Sequence, residues 1–231
     1  MAEFPTTRWS LVLEARADDS AKRAALEQLL AGYWKPLYLY ARHRGLPPSD
    51  AEDAVQGLFA RLLDHDFLRA VDPEKGRMRH YLRAAMRNYV AGQHEHAGAA
   101  KRGGNVRPLP LDTAAAEATL VASPAQGPDA AYDRLWATQV LENAFAALRA
   151  ELADGRHPFE IVERYFSLDE AVSYDELAAK FAMTIPQLKS FLHRTRVRFR
   201  ELVSSEVAGT VSRPDEVEEE LAHLRTVLFT R

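Results

Sequence analysis

Five basic side chains and no acidic one lie between residues 189 and 200 of this chain: Lys189, Arg194, Arg196, Arg198 and Arg200. Cations at this density neutralise phosphate groups, and side chains near the start of a helix reach base edges in the major groove of DNA. The segment is therefore predicted to be a nucleic-acid contact. The side chains predicted to lie on its outer face are Lys189, Ser190, Phe191, His193, Arg194 and Arg196.

Two capping boxes define the helices around this segment. Ser173 with Glu176 predicts the start of a short helix, and Thr184 with Gln187 predicts the start of a second one. The two are separated by a tight connection, which predicts a helix-turn-helix. The buried stripe predicted for the second helix is Leu188, Leu192, Thr195, Phe199 and Leu202. An ordinary helical hairpin with a solvated basic face is the alternative.

A second basic segment lies between residues 69 and 107, where only Asp72, Glu74 and Glu95 are acidic. Its basic residues are Lys75, Arg77, Arg79, Arg83, Arg87, Lys101 and Arg102. The formal net charge of the whole chain is -3, so both basic segments stand on an acidic background. This distribution predicts two DNA contacts and at least one further partner.

Residues typical of catalysis or metal binding do not form recognisable motifs. The sequence has no Gly-rich phosphate loop and no nucleophile elbow. His94 and His96 are two positions apart, so they do not share a helix face, and no third ligand is apparent. We therefore expect no enzyme, no metal or other cofactor, and no small-molecule substrate.

The composition also bears on the cellular compartment in which the protein is expected. The chain has no cysteine and no run of about 18 apolar residues. We therefore expect no membrane association and a cytoplasmic location.

Helical periodicity dominates the chain, and the predicted fold class is all-α. We expect two helical domains, at 8–97 and 129–205, joined by a flexible linker at 98–128 with a short helix near 114–121. A capping box of Ser49 and Glu52 predicts that one helix begins at Asp50. Residues 206–231 form a predicted helical extension. Its acidic side, with Glu218, Glu219 and Glu220, is hypothesised to fold onto a basic segment and inhibit it.

Three segments resemble extracytoplasmic-function sigma factors of bacterial RNA polymerase. Residues 173–196 resemble the helix-turn-helix of that family that reads promoter DNA. Residues 50–59, Asp-Ala-Glu-Asp-Ala-Val-Gln-Gly-Leu-Phe, are similar to its polymerase-binding helix. Residues 81–88, Tyr-Leu-Arg-Ala-Ala-Met-Arg-Asn, resemble the segment that melts and reads the -10 element. The order of these segments also agrees with the family, and the resemblance covers most of the chain.

The resemblance implies a sigma domain 2-like bundle, a sigma domain 4-like helix-turn-helix, and two partners, core RNA polymerase and promoter DNA. An anti-sigma factor is a further candidate partner. The implied polymerase contacts are Glu52, Asp53 and Gln56. The implied -10 contacts are Tyr81, Arg83, Arg87 and Asn88. The implied -35 contacts are Lys189, Ser190, Phe191, His193, Arg194 and Arg196.

Two departures from the family pattern keep other functions open. Residues 93–96, Gln-His-Glu-His, replace the arginine cluster usual after the -10 segment, and Phe191 stands where arginine is common. One alternative is a sigma mimic that binds an anti-sigma factor instead of DNA. The other is a stand-alone helix-turn-helix regulator that binds duplex DNA without polymerase.

Overall fold

The computed structural model describes residues 32–63, 77–95, 112–122, 127–153, 159–166, 173–211 and 213–229. Within these ranges the regular structure is entirely helical, as predicted. The helices are α1 (Trp34–His43), α2 (Pro48–Leu63), α3 (Met78–Glu95), α4 (Thr113–Ala122), α5 (Pro128–Leu152), α6 (Glu160–Phe166), α7 (Tyr174–Lys180), α8 (Ile185–Ala208) and α9 (Glu216–Phe229). Apolar periodicity predicts two helices from Trp9 to about Arg44; residues up to 31 lie outside the described residues, and α1 covers the last part of this range.

The chain divides into two compact units. The first comprises Met1–Gln139 and Val207–Arg231, and the second comprises Val140–Glu206. These bounds differ from the predicted domains because residues 129–139 and the C-terminal extension both belong to the first unit. Helices α5 and α8 each begin in one unit and end in the other.

The core of the first unit forms where α1, α2 and α3 pack on one another. Leu37 of α1, Val55 and Leu58 of α2, and Leu82 and Met86 of α3 are all buried. Gly45 has a φ of +92° and ends the first helix in the left-handed region, where a side chain would be strained. Local turn chemistry and apolar periodicity therefore place α1 and α2 side by side.

Helix α2 begins at Pro48, two residues before the predicted start at Asp50. Proline is well suited to the first helical position, because its missing N–H would have no partner there and its φ is already helical. Ser49 consequently lies inside the first turn, and its hydroxyl donates to the Asp50 carboxylate, 3.1 Å away. The predicted start was wrong because Ser49 was assigned to the cap, whereas it lies within the helix.

The short helix expected near 114–121 is confirmed as α4, and it packs against α1. Tyr38 and Arg42 of α1 both donate to Glu117 Oε1, each at 2.6 Å. The bonds from Arg42 and Tyr38 lower the pKa of the Glu117 carboxyl, while burial, and then the bond to Glu117, raise the pKa of Tyr38 to about 12. This part of the predicted linker is thus held to the first unit by a charged contact.

The second unit contains α6, α7, and parts of α5 and α8 around one apolar cluster. Its buried members are Leu148, Ile161, Val162, Leu177, Ala178, Leu188, Phe191 and Leu192. Phe145 and Phe199 pack against this cluster with their ring centroids 4.5 Å apart. The cluster fixes the outer face of α8 by deciding which of its side chains point inward.

None of the helices in the described ranges combines the length and the apolar character that a membrane crossing requires.

Candidate nucleic-acid interface

The helix-turn-helix predicted from the two capping boxes is present in the second unit. The Glu176 N–H donates to Ser173 Oγ at 3.2 Å, and the Ser173 N–H donates to the Glu176 carboxylate at 3.1 Å. Thr184 and Gln187 form the same reciprocal pair at the start of α8, at 2.8 and 3.3 Å. Both boxes are confirmed, so both helix starts are fixed by local hydrogen bonds.

The turn between α7 and α8 is closed by backbone geometry. Ala182 has a φ of +50°, in the left-handed region, and the Met183 N–H donates to the Ala178 carbonyl at 2.9 Å. The Ala182 N–H also donates to the Ala179 carbonyl at 3.4 Å, and the two bonds together form a Schellman motif, which satisfies carbonyls at the C-terminus of α7. The tight connection therefore redirects the chain within two residues.

Most of the residues predicted to contact DNA from the outer face of α8 are polar and exposed. Lys189, Ser190, His193, Arg194 and Arg196 are all exposed. Arg194 Nη1 donates to Ser190 Oγ at 3.0 Å, which joins one turn of the helix to the next along this face. The residues predicted to contact the -35 element thus share a solvent-facing surface, with one exception.

That exception is Phe191, which was predicted on the outer face but is only 5% exposed. It belongs to the apolar cluster with Leu188 and Leu192. The prediction was wrong because it assigned α8 a narrow buried stripe. Phe191 lies about 60° around the helix from Leu188, within the wider apolar arc that a core-facing helix buries.

Two tyrosines that the sequence did not single out lie beside this basic face. The hydroxyls of Tyr165 on α6 and Tyr174 on α7 are 3.0 Å apart, and Arg196 donates to the Tyr165 hydroxyl. The Arg196 guanidinium lies 5.0 Å from the Tyr165 ring centroid, and the Lys189 ammonium lies 5.5 Å from that of Tyr174. Because the tyrosines lie on different helices, no spacing in the sequence indicated this pairing.

The three residues predicted to bind polymerase lie along one side of α2. Asp53 is exposed, while Glu52 and Gln56 are partly buried and joined by a hydrogen bond of 3.3 Å. Val55 and Phe59, on the adjoining face of the same helix, are buried in the first unit. The trio is therefore a partly exposed carboxylate and amide surface on a well-packed helix.

Helix α2 approaches α3 closely at Gly57. A Cβ atom at this position would overlap the Tyr89 hydroxyl and lie 2.7 Å from Tyr89 Cζ. The Arg61 guanidinium lies 5.7 Å from the centroid of the Tyr89 ring. The lack of a side chain at Gly57 is thus what allows Tyr89 to lie across the helix carrying the predicted polymerase contacts.

The four predicted -10 residues do not share one environment on α3. Arg87 and Asn88 are exposed, and Tyr81 is half-buried, with burial raising its pKa to about 12. Arg83 instead donates to an Asp133 carboxylate oxygen at 3.2 Å and lies 5.9 Å from the Tyr132 ring centroid. Arg87 and Asn88 therefore remain exposed, whereas Arg83 is engaged by α5.

Arg79, which the sequence grouped with the DNA-binding bases, is 2% exposed and sits in a network of acids. Its guanidinium donates to both carboxylate oxygens of Glu220 on α9 and, at 2.9 Å, to Asp133 on α5. It also lies 5.0 Å from the Trp136 ring centroid. Arg79 is thus a buried structural cation, and its inclusion in an accessible basic surface was wrong.

One partner of Arg79, Glu220, also pairs with Arg77. Arg77 pairs with Glu219 and, at 2.8 Å, with Glu220. We define Asp133, Glu219 and Glu220 as the acidic clamp. The contacts of Glu219 and Glu220 with Arg77 and Arg79 agree with the hypothesis that the acidic side of the extension folds onto a basic segment. The side chain of Glu220 is fully buried, together with Val217 and Leu224 of the same helix.

His223 of α9 completes the surroundings of this network. Its Nε2 is 3.8 Å from Asp133 Oδ2, and its ring centroid is 6.3 Å from that of Trp136. Burial, and then the nearby Arg79 cation, lower the pKa of His223 below its ordinary value of 6.5. The neutral imidazole is therefore the favoured form in the folded chain.

Within the described ranges, no three or more histidine, aspartate or glutamate side chains are grouped as a metal site would require. His96 lies outside those ranges. Searches against protein-family models, curated proteins and solved structures find no match to this chain.

Proposed function

We propose that this chain is an alternative sigma factor that binds core RNA polymerase and directs promoter-specific initiation. The observation that carries the proposal is the capped helix-turn-helix with the exposed basic face of α8. A helix presented in this way fits the major groove, with its first turns at the bases and its cations at the phosphates.

The first unit supports the same function through two other surfaces. Helix α2 offers the surface of Glu52, Asp53 and Gln56 for a protein partner. Helix α3 offers Tyr81, Arg87 and Asn88, an aromatic ring with a cation and an amide, which is the combination that holds unpaired bases and phosphates. In this proposal the polymerase supplies the chemistry, and the chain supplies the two DNA contacts in the cytoplasm.

The proposal is tested by co-purification with core RNA polymerase, followed by run-off transcription from a library of genomic promoters. Asp53→Arg should lose polymerase because it places a cation on the carboxylate surface of α2. Glu218→Arg makes the same charge change on an exposed position of α9 and should retain polymerase. Failure of the wild-type chain to bind polymerase would refute the proposal.

The -35 surface is tested separately in the same transcription assay. Arg194→Ala and Lys189→Ala should each weaken promoter use and reduce the salt dependence of DNA binding by about one phosphate contact. Polymerase binding should be unchanged in both, because neither residue lies on α2. Unchanged transcription from every promoter would remove α8 from the DNA contact.

A sigma mimic is the second candidate, and it is favoured by the pairing of Arg83 with Asp133. A protein that does not bind DNA has no need for free cations on α3. The mimic predicts that the purified chain neither joins polymerase nor supports any transcript, and that it sequesters an anti-sigma factor. A stand-alone regulator would instead bind duplex DNA tightly as a dimer without polymerase.

A further inference from the structure

We propose that the acidic clamp competes with single-stranded DNA for the arginines at the start of α3, so that the clamp sets how tightly the -10 surface binds. This inference rests on the proposed function, because it concerns the same DNA-binding surface. The clamp joins two segments far apart in the chain, since Asp133 lies on α5 while Glu219 and Glu220 lie on α9.

The charges in this region support competition. Arg77, Arg79 and Arg83 bring three cations, and the clamp opposes them with three carboxylates. A phosphate approaching Arg83 meets a guanidinium that is already bonded to Asp133. Binding must therefore either break that bond or accept a carboxylate next to the phosphate, and both cost free energy.

The members of the acidic clamp differ in how deeply they are buried, so some of its contacts are fixed and others can be displaced. Glu220 and Arg79 are both buried, so their contact belongs to the core. Asp133 and Arg83 retain 17% and 25% of their side-chain exposure, and Glu219 retains 72%. Arg83 and Arg77 are thus within reach of solvent, and a nucleic acid can displace their acidic partners without unfolding the unit.

Helix geometry places the displaceable arginine beside the open surface. Arg83 is four residues from Arg87, so the two side chains are neighbours on α3, and Arg87 is exposed. A strand held by Arg87 and Asn88 therefore carries phosphates close to Arg83. The clamp keeps Arg83 bonded to Asp133. Without that bond, Arg83 would extend the contact with DNA by one turn of the helix.

The test uses the full chain and a short fluorescein-labelled oligothymidine, with binding followed by fluorescence anisotropy at low ionic strength. Asp133→Asn should raise affinity by about two- to fivefold, as expected when a partly exposed ion pair no longer competes. Glu219→Gln should raise affinity less, because Arg77 keeps its contact with Glu220. Both gains should shrink as salt is added.

Glu218→Gln is the matched control, since it removes one negative charge from an exposed position of the same helix. Its affinity should change less than that of Asp133→Asn, because long-range charge alone is screened. A change as large as that of Asp133→Asn would show that only net charge matters and would overturn the proposal.

A double-variant cycle then tests whether Asp133 acts through Arg83. In an Arg83→Ala background, Asp133→Asn should give no gain beyond that of Glu218→Gln. An undiminished gain would overturn the proposal, as would a wild-type affinity for Asp133→Asn when its circular dichroism and tryptophan fluorescence are native. Absence of oligothymidine binding in every variant would also overturn it.

The outcomes separate this inference from the proposed function. Polymerase binding with no gain from Asp133→Asn would refute the clamp and leave the sigma factor proposal intact. A gain that depends on Arg83, in a chain that does not bind polymerase, would support the clamp and refute the sigma factor proposal.

Discussion

Replacing Glu220 with glutamine removes one charge from the buried contact between α9 and α3 with little change in shape. Arg79 would remain buried, but the carboxylate that it contacts through two nitrogen atoms would become a neutral amide. Asp133, 2.9 Å from Arg79 Nη1, would then be its remaining carboxylate partner. The folded state should lose stability because desolvation of the guanidinium is no longer fully offset.

The size of the loss follows from the geometry. Arg79 Nη2 and Glu220 Oε2 are 3.2 Å apart, and at an effective dielectric constant of about 20 two unit charges at this distance attract by about 5 kcal/mol. Asp133 and the glutamine oxygen retain part of that interaction. We therefore expect the free energy of unfolding to fall by about 3 kcal/mol, at the lower end of the range for broken buried ion pairs.

Urea unfolding followed by tryptophan fluorescence measures this loss in the first unit alone, because residues 140–206 contain no tryptophan. Trp136 lies 5.0 Å from the Arg79 guanidinium and is a direct reporter. Asp215→Asn is the control, since it removes a carboxylate from the exposed pair with Arg213 and should change stability by well under about 1 kcal/mol. A Glu220→Gln loss no larger than that of the control would refute the reasoning.

A double variant separates the charge from the packing. Arg79→Met with Glu220→Leu removes both buried charges and fills the space with apolar atoms, so it should recover most of the stability lost in Glu220→Gln. Asp133 keeps Arg83 as a partner in this background. A double variant less stable than Glu220→Gln would mean that the ion pair is worth more than an apolar replacement.

Three further predictions concern close packing, pH and backbone strain. Gly57→Ala should destabilise the first unit by about 1 kcal/mol in urea unfolding, because its Cβ displaces Tyr89, and should not do so in a Tyr89→Leu background. The lowered pKa of His223 means that the unfolded chain binds more protons below about pH 6.5, so stability should fall as pH drops through this range, and His223→Gln should reduce that slope in unfolding titrations. Ala182→Gly should stabilise the second unit by about 1 kcal/mol, seen as slower amide exchange in α7, because the residue has a φ of +50°; a destabilised variant would contradict strain at that turn.

Most features with local causes were predicted well from the sequence, although the start of α2 was misplaced by two residues. The two capping boxes of the helix-turn-helix depend on residues three positions apart, and both form as expected. The helix near residues 114–121 was found from its composition between turn residues. In each case the deciding interaction lies within a few residues, where sequence spacing and spatial proximity coincide.

Features that depend on tertiary packing were not predictable in the same way. Arg79 and Glu220 are 141 positions apart, and although charge complementarity suggested that the extension folds onto a basic segment, it did not indicate which side chains would be buried. Phe191 lies on the edge of the apolar arc of α8, where periodicity does not decide between solvent and core. Whether such residues are buried depends on the positions of the neighbouring helices, which a single sequence does not give.

The separation between α3 and α9 also affects synthesis of the protein. A ribosome adding about 5 to 20 residues per second requires roughly 7 to 28 s to translate the 141 positions between Arg79 and Glu220. Throughout that interval the nascent chain carries an arginine destined for the core with its principal carboxylate partner not yet made. Every residue of the second unit, 140–206, is added within the same interval. The first unit can therefore complete its core only after α9 has been translated, and a chain truncated between residues 206 and 220 would carry the second unit on a first unit that lacks this carboxylate.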